Sequence, residues 1–277
     1  MRRQHSVAGG DGLRLNVMEW GRADGRPIVF VHGWSQTHLC WMKQVESALA
    51  EEFRLVAFDL RGHGLSEAPA GQKHYTGSAA WADDVKAVIE ALALRDVVLV
   101  GWSYAGLVIT DYLRAYGDAG IGAVNFVGAA VRIGEQAMGP LIGPGFTDVF
   151  AHAAGHDLEA AIDAMRVFIE RCFAVKLSRR DYERVLCWNM TVRPDVRAAL
   201  GAREVDNCDV LGELTCPVLV SHGRRDVTVL PAMAELILEH CPQAAPSWYD
   251  DVAHGPFMED PLRFNAELGE FARRARG

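Results

Sequence analysis

The stretch DVVLVGWSYAGLVITDYL, residues 96–113, opens on β-branched apolar residues, tightens at Gly101 and continues with helical spacing. A buried strand that turns at once into a helix, with a serine at the junction between two bulky aromatics, leaves few architectures open. The question it raises is why Ser103 stands between Trp102 and Tyr104 at such a turn.

The rest of the chain keeps the same rhythm. Short apolar runs stand at 27–33, 54–60, 96–101, 122–130 and 217–223, with a weaker one at 245–251, and each predicts a strand. Helical patterns lie between them near 38–51, 80–94, 104–116 and 231–240, and a last one near 260–275. Near-continuous apolar strands alternating with helices predict a parallel sheet covered on both faces. The earlier segment GLRLNVMEWG alternates and predicts an added antiparallel edge. With 277 residues, one core can bury about three quarters of the unfolded surface, so a single domain with an insertion is expected. Half the residues are hydrophobic and 23% are charged, a balance that excludes disorder.

The insertion runs from 132 to 214, between a core formed by 1–131 and 215–277. No strand is predicted there. A Gly/Pro-rich entry, IGEQAMGPLIGPG, leads into helical stretches near 157–175 and 179–190 and then RPDVRAALGA. A helical segment that leaves a sheet and returns to it predicts a cap over the carboxyl ends of the strands. Its basic residues Arg166, Arg171, Lys176, Arg179, Arg180 and Arg184 alternate with acidic ones and read as a solvated face.

Charge and composition exclude several partners. A formal net charge of −8 argues against nucleic acid or an anionic membrane surface as the main partner. The opening MRRQHSVAGGDG has no apolar core of signal-peptide length, and no later apolar run could span a bilayer. A soluble, cytoplasmic protein acting on a small molecule is expected. Cys40, Cys172, Cys187, Cys208, Cys216 and Cys241 show neither C-x-x-C pairing nor a histidine at metal-ligand spacing, so they read as buried thiols and no metal or cofactor is expected.

Ser103 is explained by its company. The run Gly101-Trp102-Ser103-Tyr104-Ala105-Gly106 follows the G-x-S-x-G turn that exposes a serine hydroxyl above a sheet, with alanine in place of the second glycine. The same geometry points the N-terminus of the following helix at whatever the hydroxyl attacks. Alone, the serine would be a helix cap. Downstream, however, Asp226 follows a strand end in HGRRD, and His254 precedes the last helix in AHGPFMEDP. Serine, acid, histidine is the chain order of this strand–turn–helix nucleophile.

With VHGW at 31–34, DLRGHGLS at 59–66, VGWSYAG at 100–106, HGRRD at 222–226 and AHGPFMEDP at 253–261 all in register, the chain resembles the α/β-hydrolase family along nearly its whole length. Within that family it looks like the branch of small esterases and cofactor-free haloperoxidase-like hydrolases. The resemblance implies an α/β fold with a mostly parallel central sheet flanked by helices and an inserted helical cap. It also implies a catalytic Ser103, His254 and Asp226, with an oxyanion hole formed by the backbone N–H groups of Tyr104 and, from the HGW loop, Trp34. His32 has no place in that triad and reads as a residue holding its turn. Asp59, Arg61, His63 and Ser66 likewise read as a turn that satisfies itself. Trp102 and Tyr104 either line the pocket or wedge the elbow. Trp102, Trp188 and Met190 stand as the candidate substrate contacts.

A serine attacking an sp³ carbon would leave an inert ether, which argues against dehalogenase and epoxide hydrolase chemistry. C–C hydrolases of the family usually carry tryptophan after the histidine, where this chain has Gly255. The leading expectation is a serine hydrolase of carboxylic esters with a perhydrolase side activity. The alternatives are a C–C hydrolase or lyase on the same triad, or a ligand-binding member with negligible turnover.

Overall fold

Six of the apolar runs become strands of one sheet in the computed structural model, which describes residues 2–275. The strands are β1 (Arg3–Ala8), β2 (Arg14–Gly21), β3 (Pro27–Val31), β4 (Arg54–Phe58), β5 (Val97–Trp102) and β6 (Ile121–Val127), then a short pair, β7 (Arg132–Ile133) and β8 (Val205–Asp206), and finally β9 (Val218–Gly223) and β10 (Ala244–Tyr249). The main sheet has the order β1-β2-β4-β3-β5-β6-β9-β10. Only β1/β2 and β2/β4 pair antiparallel; the other pairs are parallel. Every residue of β3, β5, β6 and β9 is buried, as strands covered on both faces must be.

This order places the functional end. From β3 the chain steps outward to β4, then crosses back to β5 and proceeds through β6 and β9 to β10 on the other side. The connections therefore reverse direction beside β5, and the crevice at the carboxyl ends of β3 and β5 is where such a sheet opens to a ligand. Ser103 follows β5 directly, Trp34 follows β3, Asp226 follows β9 and His254 follows β10.

Four expectations are corrected. GLRLNVMEWG forms β2, but the sheet edge is β1, whose mostly exposed residues RQHSVA pair with it. The segment 38–51 is not one helix: it breaks into turns at His38–Trp41, Met42–Val45 and Leu49–Glu52, because the Asp59 carboxylate takes the His38 N–H and Ser47 interrupts the ladder by bonding Gln44 and Leu49. The insertion is not strandless. Ile133 pairs with Val205 and Arg132 with Asp206, tying together the two ends of a segment that carries helices Pro144–Ala153, Leu158–Cys172, Arg179–Met190 and Pro194–Gly201. Finally, Cys187 is exposed, whereas the other five cysteines are buried. Among the described residues no helix is long and apolar enough to cross a membrane.

Candidate active site

The serine at the end of β5 is held in a strained backbone conformation. Ser103 has φ +59°, a left-handed geometry that costs a residue with a Cβ on the order of 1–3 kcal/mol unless its surroundings fix it. They do: the Ser103 N–H donates to Val127 O (3.0 Å), and Ser103 O accepts from Gly106 N and Ala130 N (both 3.0 Å). Gly106 is required, because a Cβ there would lie 2.3 Å from Ala130 O. Ala105 is tolerated, since it opens the helix Ala105–Tyr116 without a positive φ and is fully buried. Gly33 completes the turn from the neighbouring strand: a Cβ on it would stand 2.9 Å from Ser103 Cβ and 3.1 Å from Trp102 O.

Asp226 and His254 form a buried pair. His254 Nδ1 lies 2.7 Å from Asp226 Oδ2, and neither side chain is accessible. The other carboxylate oxygen, Oδ1, accepts from the Thr228 and Val229 N–H groups at 2.8 and 3.0 Å. Burial alone would push the Asp226 carboxyl up, but the facing His254 and the bonds from His222 and His254 outweigh it and hold the group at about 2. With Nδ1 committed to the carboxylate, His254 Nε2 is buried and has no hydrogen-bond partner among the described residues, Ser103 included. The imidazole stands next to the elbow nonetheless. Trp102, the residue before Ser103, donates its indole N–H to His254 O (2.8 Å), and the two rings lie 5.4 Å apart.

His222 was not singled out in the sequence. It sits at the end of β9, fully buried, with Nε2 2.9 Å from Val229 O and 3.4 Å from Asp226 Oδ2. It thus braces both the acid and the turn that feeds it N–H donors. The HG of HGRRD was the available signal, but nothing in its spacing distinguishes a brace from a turn.

Beside Ser103 lies a cavity of about 30 Å³, lined by Trp34, Tyr104, Ile133, Ile142, Phe146 and Phe168 among others. Its lining is predominantly apolar. Phe146 and Phe168 from the insertion meet the Trp34 ring edge-on at 5.2 and 5.4 Å. The backbone N–H groups of Trp34 and Tyr104 donate to no acceptor among the described residues.

The three candidate substrate contacts stand elsewhere. Trp102 wedges between His254 and Phe257 behind the elbow. Trp188 is buried, with its indole N–H on Gln36 Oε1 (2.8 Å), and Met190 packs against the Arg197 guanidinium. None of them lines the cavity beside Ser103. Trp102 and Trp188 are buried and Met190 is half-buried; Trp188 meets the polar Gln36 loop and Met190 a cation.

The remaining polar residues hold loops. His32 Nε2 accepts from Leu60 N (3.0 Å), which leaves Nδ1 to donate to Gly33 O (2.9 Å), and burial lowers its pKa to about 4. Asp59 reaches beyond its own turn: Oδ1 takes His38 N and Nδ1 at 2.7 and 2.8 Å, and Oδ2 takes Asn16 Nδ2 and Leu65 N. Arg61 pairs with buried Asp84 at 2.7 Å, His63 Nδ1 lies 2.8 Å from Arg61 O, and Ser66 donates to Asp59 O. On the insertion surface Arg166, Arg171 and Arg179 pair with Asp163, Asp148 and Glu183.

A strained serine after the middle strand of a mostly parallel sheet, with a His–Asp pair on neighbouring strand ends, defines a hydrolase of the α/β class. The chain belongs to the alpha/beta hydrolase family, whose model matches residues 28–267. Its similarities run the full length. An esterase from Rhodococcus sp. ECU1013 is 35% identical over 99% of both chains, and its structure superposes with a TM-score of 0.91. A non-heme chloroperoxidase from Streptomyces lividans is 28% identical, covering 97% of this chain and 99% of the relative. A pimeloyl-[acyl-carrier protein] methyl ester esterase from Vibrio cholerae is 28% identical over 90% of this chain and 95% of its own. The protein is accordingly an enzyme of the esterase-like kind.

Proposed function

We propose that this enzyme cleaves carboxylic esters of small molecules through an acyl-enzyme on Ser103. The observation that carries the reading is the buried His254–Asp226 pair, tied to the elbow by Trp102, with Nε2 left unpaired. Ser103 Oγ attacks the acyl carbonyl while His254 Nε2 takes its proton; the same proton then passes to the departing alcohol. Asp226 holds the imidazole with its proton on Nδ1 and stabilises the cation that forms. The oxyanion is received by the N–H groups of Trp34 and Tyr104, each such donor being worth about 3–4 kcal/mol of transition-state stabilisation. Water, activated by His254, then attacks the ester carbon and releases the acid and free Ser103.

In this reading residues 132–214 form a cap that closes over the site with Phe146 and Phe168, and the small cavity favours short acyl groups. Hydrogen peroxide in place of water would release a peracid from the same intermediate. The chloroperoxidase relative supports that side activity.

A panel of esters that varies acyl length and alcohol size separately, run with and without peroxide, tests the proposal. Hydrolysis of short acyl esters that is lost in Ser103→Ala is expected. Absence of turnover across the panel, or equal turnover in Ser103→Ala, would overturn it.

A further inference from the structure

The loop that carries the Trp34 N–H is held from two sides. Ser35, the next residue, has φ +59°, so the loop is strained and needs outside bonds to keep its shape. From the sheet, His32 ties Gly33 to Leu60 and Asp59 ties His38. From the insertion, a buried polar network reaches down. Arg197 O accepts the Trp34 indole N–H (3.1 Å), and Arg197 Nε donates to Ser35 Oγ (3.1 Å). Ser35 Oγ donates to Asn189 O (3.1 Å), Gln36 Nε2 donates to Asn189 Oδ1 (3.1 Å), and Trp188 Nε1 donates to Gln36 Oε1. All six residues of this network are buried.

Arg197 is the unusual member. Its guanidinium donates to Ser35 Oγ, Ala153 O (2.6 Å) and Asn189 O (2.9 Å) and lies 3.7 Å from Met190 Sδ. None of these atoms is charged, and the side chain makes no ion pair among the described residues. Burial lowers its pKa only to about 10, so it remains a cation at neutral pH. A buried charge held by neutral oxygens costs stability that an apolar chain of similar length would not. It stands, however, on the residue after the proposed oxyanion donor, where a fixed positive charge favours the state in which negative charge develops on the substrate.

We infer that Arg197 is a positioning residue for the oxyanion site: through Ser35 and the Trp34 indole, the insertion fixes the Trp34 N–H and adds positive potential to it. This rests on the acyl-enzyme reading above. Helices Arg179–Met190 and Pro194–Gly201 then act on the rate of acyl transfer through the loop.

Two variants test it. Arg197→Met removes the charge and its donors, and Ser35→Ala removes one acceptor while leaving the guanidinium on its two carbonyls, so the second variant serves if the first does not fold. With a p-nitrophenyl ester, kcat falls about a hundredfold in the first and about tenfold in the second, while KM stays within about threefold. A trifluoromethyl ketone, to which Ser103 Oγ adds while its proton passes to His254 and the carbonyl becomes an oxyanion, loses affinity by the same factor as kcat/KM. The unfluorinated ketone binds as before. A folded variant with kcat within about threefold of the parent, or with kcat reduced but trifluoromethyl ketone affinity unchanged, would overturn the role of Arg197. Fluorophosphonate labelling separates the two readings: no adduct on Ser103 of the parent protein would overturn the acyl-enzyme itself, whereas full labelling with unchanged variant kinetics would overturn only the positioning.

Discussion

Asp226 Oδ2 and His254 Nδ1 meet at 2.7 Å across 28 residues of sequence, inside the protein, while Asp250 and Asp251, which stand much nearer to His254 in sequence, pair with Arg224 and Arg225 at the surface. The separation of these carboxylates gives a direct test. Asp226→Asn is expected to fold and bind ester while kcat falls by roughly 10⁴, through loss of the correct tautomer and of support for the imidazolium. Asp250→Asn and Asp251→Asn are expected to stay within about threefold of the parent, as exposed pairs contribute little. Steady-state kinetics on the three purified proteins decide the matter; a crippled Asp251→Asn beside an active Asp226→Asn would move the acid to the other loop.

Gly33 backs directly onto the serine. A methyl group there would sit 2.9 Å from Ser103 Cβ, closer than side-chain carbons pack, so the elbow or the loop of Trp34 must shift. Gly33→Ala is expected to lower kcat by at least about a hundredfold, the cost of misplacing a reacting group by about an ångström. Thermal melting paired with ester kinetics checks this, and a variant of parental activity would show that the elbow has slack.

Phe168 closes one wall of the cavity beside Ser103. Phe168→Leu trims that wall while keeping an apolar side chain, and should raise kcat/KM for a branched acyl ester relative to the acetyl ester by about tenfold, within the range of one hydrophobic pocket contact. An unchanged ratio across an acyl series would place the acyl group elsewhere.

Asp59 gives a pH dependence of stability with a defined sign. Burial would raise its pKa, but His38 and the bonds from His38 and Leu65 hold it at about 2, below the value of about 3.9 for an unfolded aspartate. Its contribution, on the order of 2 kcal/mol, is therefore present above about pH 4 and is lost as pH falls from 4 towards 2. Asp59→Asn should be less stable at pH 7 and lose less stability across that window. Denaturant midpoints at pH 7, 4 and 3 measure this, and parallel loss in both proteins would contradict it.

The sequence made the sheet interior legible because β3, β5, β6 and β9 are near-continuous apolar runs, interrupted only by Asn125 in β6 and by Ser221 and His222 in β9. The edge strand β1 was not, since RQHSVA has a single buried residue and becomes a strand only by pairing with β2. The β7/β8 ribbon joins residues more than seventy positions apart, which no local pattern encodes. At the site, the strained turn at Ser103 was legible because turn chemistry is local, whereas Asp226 and His254 were singled out from chain order and resemblance, and their contact is a property of the fold. Arg197 and Trp188 were not legible. Their partners Ser35 and Gln36 lie more than 150 residues away, and an arginine on a helix looks the same in sequence whether it meets water or a loop.

The nucleophile is tested most directly by mass spectrometry of the protein after reaction with a fluorophosphonate, followed by peptide mapping. One adduct per chain, on Ser103, is the predicted result, with neither adduct nor ester hydrolysis in Ser103→Ala, where kcat should fall on the order of 10⁶. An adduct on another residue, or a folded Ser103→Ala protein that hydrolyses esters at a rate near the parent's, would contradict the acyl-enzyme on Ser103.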